Sequence, residues 1–344
     1  MEEMCITINK IKIPLIETQL DVEDILGAVK VRLGLNRMGY KVNPGLYAIG
    51  KPVPESEVFV TGNYKLSFDM LRKELDGLNA YILVLDTKGV NVWCASGKGI
   101  FGTEELLRQI EKTQLKEVIN HKELILPQLG APGVSGYKVT SSSGFKIIYG
   151  PIRARDIKAF LDAGKKADKE MRNVSFDAID RMVLIPVEMR MFAKHLFYFL
   201  VTGLLVSGLN SKGYSLLQVK SKGMRFFRNT LFAYLCGSCD GPILLPWLPG
   251  KSFSVKGAIL GIFAFFILFL GKLTGKRFAE TLSWFFLVPV ICSFQLMNFT
   301  GASTFTSLSG VKKEMAQAVP MQKKVASAGI VLWIYSLFSG DEDE

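Results

Sequence analysis

Ala80-Tyr81-Ile82-Leu83-Val84-Leu85 is an unbroken apolar run, followed by Asp86-Thr87-Lys88-Gly89 and then by Asn91-Val92-Trp93-Cys94-Ala95-Ser96-Gly97-Lys98. A short run rich in Ile, Leu and Val, bounded by turn residues, is the pattern of a strand buried on both faces, as in a parallel sheet. A helical pattern follows over Thr103–Lys112, opened by Thr-Glu-Glu and carrying Leu106, Leu107 and Ile110. Cys94 therefore stands between a strand and a helix, flanked by Trp, small residues and Lys. A lone cysteine in such a place is ordinarily an inert packing residue, so its standing depends on what surrounds it.

Outward from this stretch the pattern repeats. Glu57–Val60 reads as a strand ending at Thr61-Gly62-Asn63, and Leu66, Met70, Leu71 and Leu75 follow at helical spacing. Leu124–Leu126 and Phe145–Tyr149 read as further strands, ending at Gly130-Ala131-Pro132-Gly133 and Gly150-Pro151. A helix is expected over Arg153–Lys166 and a last strand over Met182–Val187. Residues before about 35 read as a lead-in with a mixed pattern from Val22 to Leu35. Alternating strands and helices predict a doubly wound, Rossmann-like α/β domain over residues 1–190. Ligands bind such sheets beyond the carboxyl ends of the strands. Thr61, Gly62 and Asn63, the Cys94 stretch and the two later loops all lie there, which makes a rim for a large, flat ligand.

Composition changes near Met191. The chain carries a formal net charge of +11. Residues 1–190 hold 27 Lys+Arg against 24 Asp+Glu, whereas residues 191–344 hold 15 against 7. The excess thus lies between apolar segments, where it suits membrane flanks and lipid headgroups. No interleaving of basic and aromatic residues suggests a nucleic-acid groove. Apolar runs at 195–211, 229–249, 253–271, 281–309 and 325–339 predict an all-α transmembrane domain of about five helices over 191–344, the second weakened by Asp240, Pro242, Pro246 and Pro249. The acidic N-terminus is no signal peptide, so the first domain is expected on the cytoplasmic side of a multi-pass inner-membrane protein.

Rival motifs fail. Gly97-Lys98-Gly99 lacks the rest of a phosphate loop, and no G-x-G-x-x-G follows a strand. Five cysteines give neither a secreted disulfide framework nor a ferredoxin-type cluster run. His121 is expected to be solvated rather than paired with Cys94. Cys236-Gly237-Ser238-Cys239-Asp240 offers soft ligands and a carboxylate; the favoured reading is small packing residues near a helix end.

Asn91 to Lys98 resembles the signature of the HgcA family, the corrinoid proteins of mercury-methylating anaerobes: Asn, Val or Ile, Trp, Cys, Ala, Ala or Ser, Gly, Lys. Every position matches. Pro44-Gly45-Leu46-Tyr47, Asn63–Asp69, Leu126–Gly133 and Tyr149-Gly150-Pro151 are also similar to the corrinoid domain of the corrinoid iron–sulfur protein large subunit. That likeness covers residues 40–190, and the chain lacks the large subunit's cluster cysteines and barrel-sized domain. The resemblance implies a base-off, Cys-ligated, cobalamin-type corrinoid with Cys94 as lower axial cobalt ligand. Asn91, Val92, Trp93, Ala95, Ser96, Gly97 and Lys98, with Thr61, Gly62 and Asn63, would seat the cofactor. It further implies transfer of a methyl group from a folate-pathway donor to Hg(II), with reduction by an HgcB-like ferredoxin carrying two 4Fe–4S clusters. The alternative is a corrinoid methyl carrier of acetyl-CoA-type one-carbon metabolism.

Overall fold

A computed structural model describes residues 5–304 and 308–339. The acidic N-terminal residues 1–4, residues 305–307 at the end of the fourth apolar run and the acidic tail lie outside the described residues. The chain divides into two compact units, Met1–Val174 and Ser175–Glu344, ahead of the composition change near residue 190.

The first unit opens with a hairpin, β1 (Cys5–Ile8) and β2 (Ile11–Pro14), in the stretch that reads from sequence only as a lead-in ending in a mixed pattern. Asn9 and Lys10 both adopt positive φ (47° and 68°), the backbone that a two-residue hairpin turn requires. Helix α1 (Val22–Arg32) starts in a capping box between Asp21 and Asp24. It is tied to α2 (Lys65–Glu74) by a buried network in which Asp24 meets Lys65 and Arg72, and Arg72 Nε donates to Asp69 Oδ1 at 2.8 Å.

The central sheet has five strands, β3 (Gly45–Ile49), β4 (Val58–Gly62), β5 (Ala80–Leu85), β6 (Glu123–Pro127) and β7 (Lys146–Gly150), in the order β3-β5-β4-β6-β7. Strand β3 is an antiparallel edge, and the other four are parallel. The sheet is thus mixed rather than wholly parallel. Every residue of β5 is buried, as its unbroken apolar run predicts. Between β5 and β6 the chain forms α3 (Val92–Gly97), α4 (Thr103–Lys112) and α5 (Leu115–Val118). Helix α6 (Gly136–Ser143) precedes β7, and α7 (Ile157–Asp162) follows it.

Leu106, Ile110, Leu115 and Val139 join Val60, Leu83, Leu85 and Leu126 in the core on one face of the sheet. Phe68, Leu71, Leu75, Ile157 and Phe160 join Phe59, Ile82, Val84 and Ile125 on the other. Alternate residues of one strand point to opposite faces, so β5 feeds both cores. The chain leaves β4 toward β5 and leaves β6 toward β7, in opposite directions. The crevice of such a sheet falls beyond the carboxyl ends of the two strands where the order reverses, here Gly62-Asn63 after β4 and Pro127 at the end of β6.

The second unit is helical. Met182–Val187, expected as a strand, instead ends α8 (Ala178–Met182) and begins α9 (Ile185–Val206). Asp177 caps α8 by accepting from Asp180 N at 3.0 Å. Pro186 sits in the first turn of α9, where its missing N–H leaves no bond unmade, whereas inside a sheet it would interrupt a ladder. A short hairpin and α10 (Leu216–Gln218) lead through a π-helical turn, Val219–Gly223, into α11 (Met224–Leu235). A second π-helical turn, Cys236–Asp240, joins α11 to α12 (Gly241–Leu244). Helices α13 (Phe253–Leu270), α14 (Phe278–Phe299) and α15 (Leu308–Phe338) complete the unit.

Three helices among the described residues are long and apolar enough to cross a membrane: Ala178–Val206, Phe253–Leu270 and Phe278–Ala302. About five were expected. The second apolar run breaks at the π-turn and the prolines after it, and α15 carries Lys312, Lys313, Lys323 and Lys324 along its length. Helix α13 packs on α14 through Gly257 and Gly261; a Cβ on Gly261 would stand 2.4 Å from Pro289 Cα. Such small residues four apart let helix backbones approach closely. A Cβ on Gly237 would likewise stand 2.8 Å from Cys292 Cα. Among the described residues no group of three His, Cys, Asp or Glu is placed to hold a metal ion.

Candidate functional site

The site begins at the end of β4. Asn63 is buried, and its amide oxygen accepts from Thr87 N at 3.0 Å and Gly89 N at 2.9 Å. Those two bonds fill its two lone pairs. The Thr87 hydroxyl, also within reach, therefore donates to Val90 O at 2.7 Å. Asn63 Nδ2 donates to Asp86 Oδ1 at 3.1 Å, and that oxygen also accepts from Lys88 N at 3.0 Å. From α4, Glu105 Oε1 accepts from Asp86 N at 2.8 Å. The turn after β5 is thus held from the neighbouring strand and from the next helix. Gly89 has φ 75°, and a Cβ there would stand 2.7 Å from Met38 O, so the turn needs glycine at this position.

This turn delivers α3. Asn91 is its N-cap, its side chain accepting from Cys94 N at 2.9 Å. Over these eight residues Val92, Ala95 and Ser96 face inward, while Trp93, Cys94, Gly97 and Lys98 are exposed. The inward residues recur at i, i+3 and i+4, the spacing of one helical face. Ala95 is fully buried, and Ser96 Oγ donates to Gly130 O at 3.2 Å. That couples α3 to the loop after β6. Gly133 lies under the same junction: its carbonyl accepts from Thr103 N at 3.2 Å, and a Cβ on it would stand 2.0 Å from Phe101 O.

The outward face carries an exposed free thiol at Cys94, an indole at Trp93 that is 39% exposed, and open space where a Cβ on Gly97 would point. Beside it lies an open depression of about 620 Å³ between Asp86, Lys88, Gly99, Thr103 and Arg108. Burial pushes the Glu105 carboxyl at its edge upward, but hydrogen bonds from Arg108, Asp86 N and Gln109 more than offset this and hold it below its ordinary 4.5. Glu105 is therefore an ionised acceptor for the turn.

The predicted binding residues divide accordingly. Trp93, Cys94, Gly97 and Lys98 form one accessible face. Thr61, Gly62 and Asn63 are buried and act on that face from beneath, through the turn. Thr87, Glu105 and Phe101 complete the support, and no local pattern singled them out. His121, expected to be solvated, is half-buried: it bonds Ser56 O through Nε2 at 2.9 Å and accepts from Glu123 N at Nδ1.

The face fits a flat ligand with a soft metal centre. It offers one outward thiol, an aromatic side chain and unfilled space over a glycine, all on a helix whose other side is locked in the core. Thiolate sulfur suits soft or borderline metal centres.

Residues 5–161 match the family described as CO dehydrogenase/acetyl-CoA synthase delta subunit. The chain is 33% identical over 128 residues to the acetyl-CoA decarbonylase/synthase complex subunit gamma of Archaeoglobus fulgidus, covering 37% of this chain and 27% of that protein. The corresponding subunit of Methanopyrus kandleri is 31% identical over 124 residues, 36% of this chain and 26% of its own length. The corrinoid/iron-sulfur protein large subunit of Moorella thermoacetica is 30% identical over 125 residues, 36% of this chain and 28% of its own. The chain thus spans about a quarter of the length of these relatives. The family match falls within the first unit. The names speak of acetyl-CoA complexes and of a corrinoid, not of mercury.

Proposed function

We propose that the first unit binds a base-off corrinoid over the outward face of α3, with Cys94 as its lower axial ligand, and that the chain serves methyl transfer to Hg(II). The observation that carries the corrinoid reading is the presentation of Cys94 as an exposed thiol on a helix locked from behind. When bound, a corrinoid supplies a cobalt centre able to accept and release a methyl group. Cys94 offers it a soft, electron-donating sulfur. Trp93 gives an aromatic surface beside the ring, and Gly97 permits close backbone approach. Lys98 brings a cation toward the nucleotide tail. Asn91 holds the Cys94 backbone, and Asn63 and Glu105 keep the preceding turn from yielding.

The reading includes a folate-pathway methyl donor and a ferredoxin-like reductant of the HgcB kind, since no cluster-binding cysteine run is present in this sequence. The second unit, with three helices apolar enough to cross a membrane, would attach the protein to the cytoplasmic membrane. Mercury as acceptor rests on the match of Asn91–Lys98 to its family signature together with these helices.

A second reading has specific support. The family match and the relatives' names favour a methyl carrier of acetyl-CoA-type one-carbon metabolism over mercury methylation. Deleting the gene separates the two. Loss of methylmercury with one-carbon growth intact supports Hg(II) as acceptor; loss of one-carbon growth with methylmercury intact supports the carrier. Purified protein without cobalt would remove both.

A further inference from the structure

The second unit carries an open depression of about 710 Å³ between α11 and the turn that joins α13 to α14. Every charged residue lining it is a cation: Arg225, Arg228 and Lys272. The rest of the wall is chiefly apolar, with Phe227, Leu231 and Leu235 on α11. The buried residues of that helix are Phe226, Asn229, Thr230, Ala233 and Tyr234, so the lining belongs to its opposite, outward face. Arg228, Leu231 and Leu235 follow at i, i+3 and i+7, along one side of a helix. From Arg228 to Leu235 the axis climbs about 10 Å, at about 1.5 Å per residue. Charge sits at one end of the pocket, and apolar surface runs away from it.

The three cations are not equivalent. Arg225 is balanced, its Nε lying 3.1 Å from Glu280 Oε1. Arg228 meets only neutral acceptors: Nη2 donates to Leu273 O at 2.8 Å and Nε to Asn229 Oδ1 at 3.2 Å. Asn229 Nδ2 donates to the same Leu273 carbonyl at 3.0 Å, so the guanidinium is held against the turn beside Lys272. A guanidinium has five N–H groups; two are used here, and three remain on an exposed side chain. Lys272 is exposed too. Among the described residues neither Arg228 nor Lys272 has a carboxylate partner. Two accessible cations thus border this pocket without a counter-charge.

We propose that this pocket binds an anionic phospholipid, its phosphodiester head on Arg228 and Lys272 and an acyl chain along Phe227, Leu231 and Leu235. The remaining N–H groups of Arg228 suit phosphate oxygens, which a guanidinium can hold two at a time, and Lys272 adds a point charge. Basic pockets between helices at a membrane surface suit such heads. A soluble anion would use the cations and leave the apolar wall in water. An uncharged lipid would cover the wall and leave the cations unbalanced. A lipid with an anionic head meets both. The inference rests on the membrane reading of the second unit and stands apart from the corrinoid reading.

The test is native mass spectrometry of the full chain, released from uncharged detergent micelles holding equimolar phosphatidylglycerol and phosphatidylcholine of one chain length. The expected result is one retained phosphatidylglycerol, preferred about tenfold over phosphatidylcholine, the size of one charge-assisted hydrogen bond. Arg228→Gln and Lys272→Gly should each abolish the preference. Lys272 has φ 55°, a backbone that favours glycine, so Lys272→Gly should keep or raise the melting temperature while losing the lipid. A merely structural lysine would not give that split. Equal retention of the two lipids, or a preference kept in both variants, would overturn the proposal. So would displacement by excess glycerol 3-phosphate, which would make this a soluble anion's site. A preference seen only after truncation before Asp341 would assign the pocket to the chain's own acidic tail. A full chain that stays soluble without detergent would remove the membrane reading as well, whereas a detergent-requiring chain without the preference removes this inference alone.

Discussion

The amide oxygen of Asn63, at the end of β4, holds the backbone N–H of Thr87 at 3.0 Å, although the two residues lie on neighbouring strand ends and 24 positions apart. Through this bond and its companion to Gly89, the sheet positions the turn that leads to Cys94.

Replacing Asn63 with Leu should leave both N–H groups buried without partners, at about 1–3 kcal/mol each. Amide hydrogen exchange measures the effect directly. Thr87 and Gly89 should lose protection while β5 keeps its own, and cobalt retention should fall although Asn63 touches no solvent.

Acid should weaken the first unit through the junction of α1 and α2. Burial pushes the Asp24 carboxyl upward, but hydrogen bonds from Lys65 and Asp21 N and the charge of Arg72 overcome it, so its pKa lies below the ordinary 3.8. A lowered carboxylate pKa contributes stability that is present above the unfolded value and lost as pH falls through the folded one. Lys65 has the opposite sign. Burial lowers its pKa, Asp24 and Asp69 raise it further, and the net shift is above 10.5. Its contribution is therefore present at neutral pH and lost only in strong alkali. Arg72→Ala should destabilise the unit by about 3–5 kcal/mol, because Asp24 and Asp69 are left buried without it. Thermal melts from about pH 5 down to about pH 2, the range over which the lowered carboxylate protonates, should show a smaller acid-dependent loss in Arg72→Ala than in the parent.

Gly133→Ala should disturb the site from a distance. The new methyl would press on Phe101 O and, at 2.9 Å, on Ser96 Oγ. Overpacking of this kind typically costs ~1–3 kcal/mol. The expected outcome is a lower melting temperature and weaker corrinoid retention, with Gly97→Ala as the contrast: its Cβ meets nothing within 4 Å, so it should leave stability nearly unchanged.

Most of this frame was legible, and the exceptions have physical causes. Ala80–Leu85 and Thr103–Lys112 read true because one is an unbroken apolar strand and the other an amphipathic helix with acidic residues in its first turn. The first hairpin was missed although Ile6, Ile8, Ile11 and Ile13 alternate across it; Asn-Lys is a weaker turn signal than Asn-Gly. Met182–Val187 misled because a short apolar run does not distinguish a strand from a helix start. The exposed face of α3 was marked by its own residues. Of its supports, Asn63 was named as a rim residue at the strand end, whereas Thr87 and Glu105 were not marked, because they act through the pairing of β4 with β5 and the return of α4, which no local pattern encodes.

In the second unit, Gly261→Leu should force α13 away from α14, since Pro289 Cα occupies the space a side chain would need. Helix content by circular dichroism should be kept while resistance to detergent-mediated unfolding falls. Ile262→Leu, on the exposed side of the same helix, should change neither.

The central claim is that Cys94 sulfur is the lower ligand of a corrinoid cobalt, and X-ray absorption at the cobalt edge tests it most directly. Cys94→Ala alters an exposed residue and should change stability by no more than ~0.5 kcal/mol, so a spectral change is not a folding effect. The account predicts a sulfur scatterer in the cobalt shell of the purified, loaded protein and its loss in Cys94→Ala. A cobalt shell without sulfur in the parent, or with sulfur retained in the variant, would contradict it.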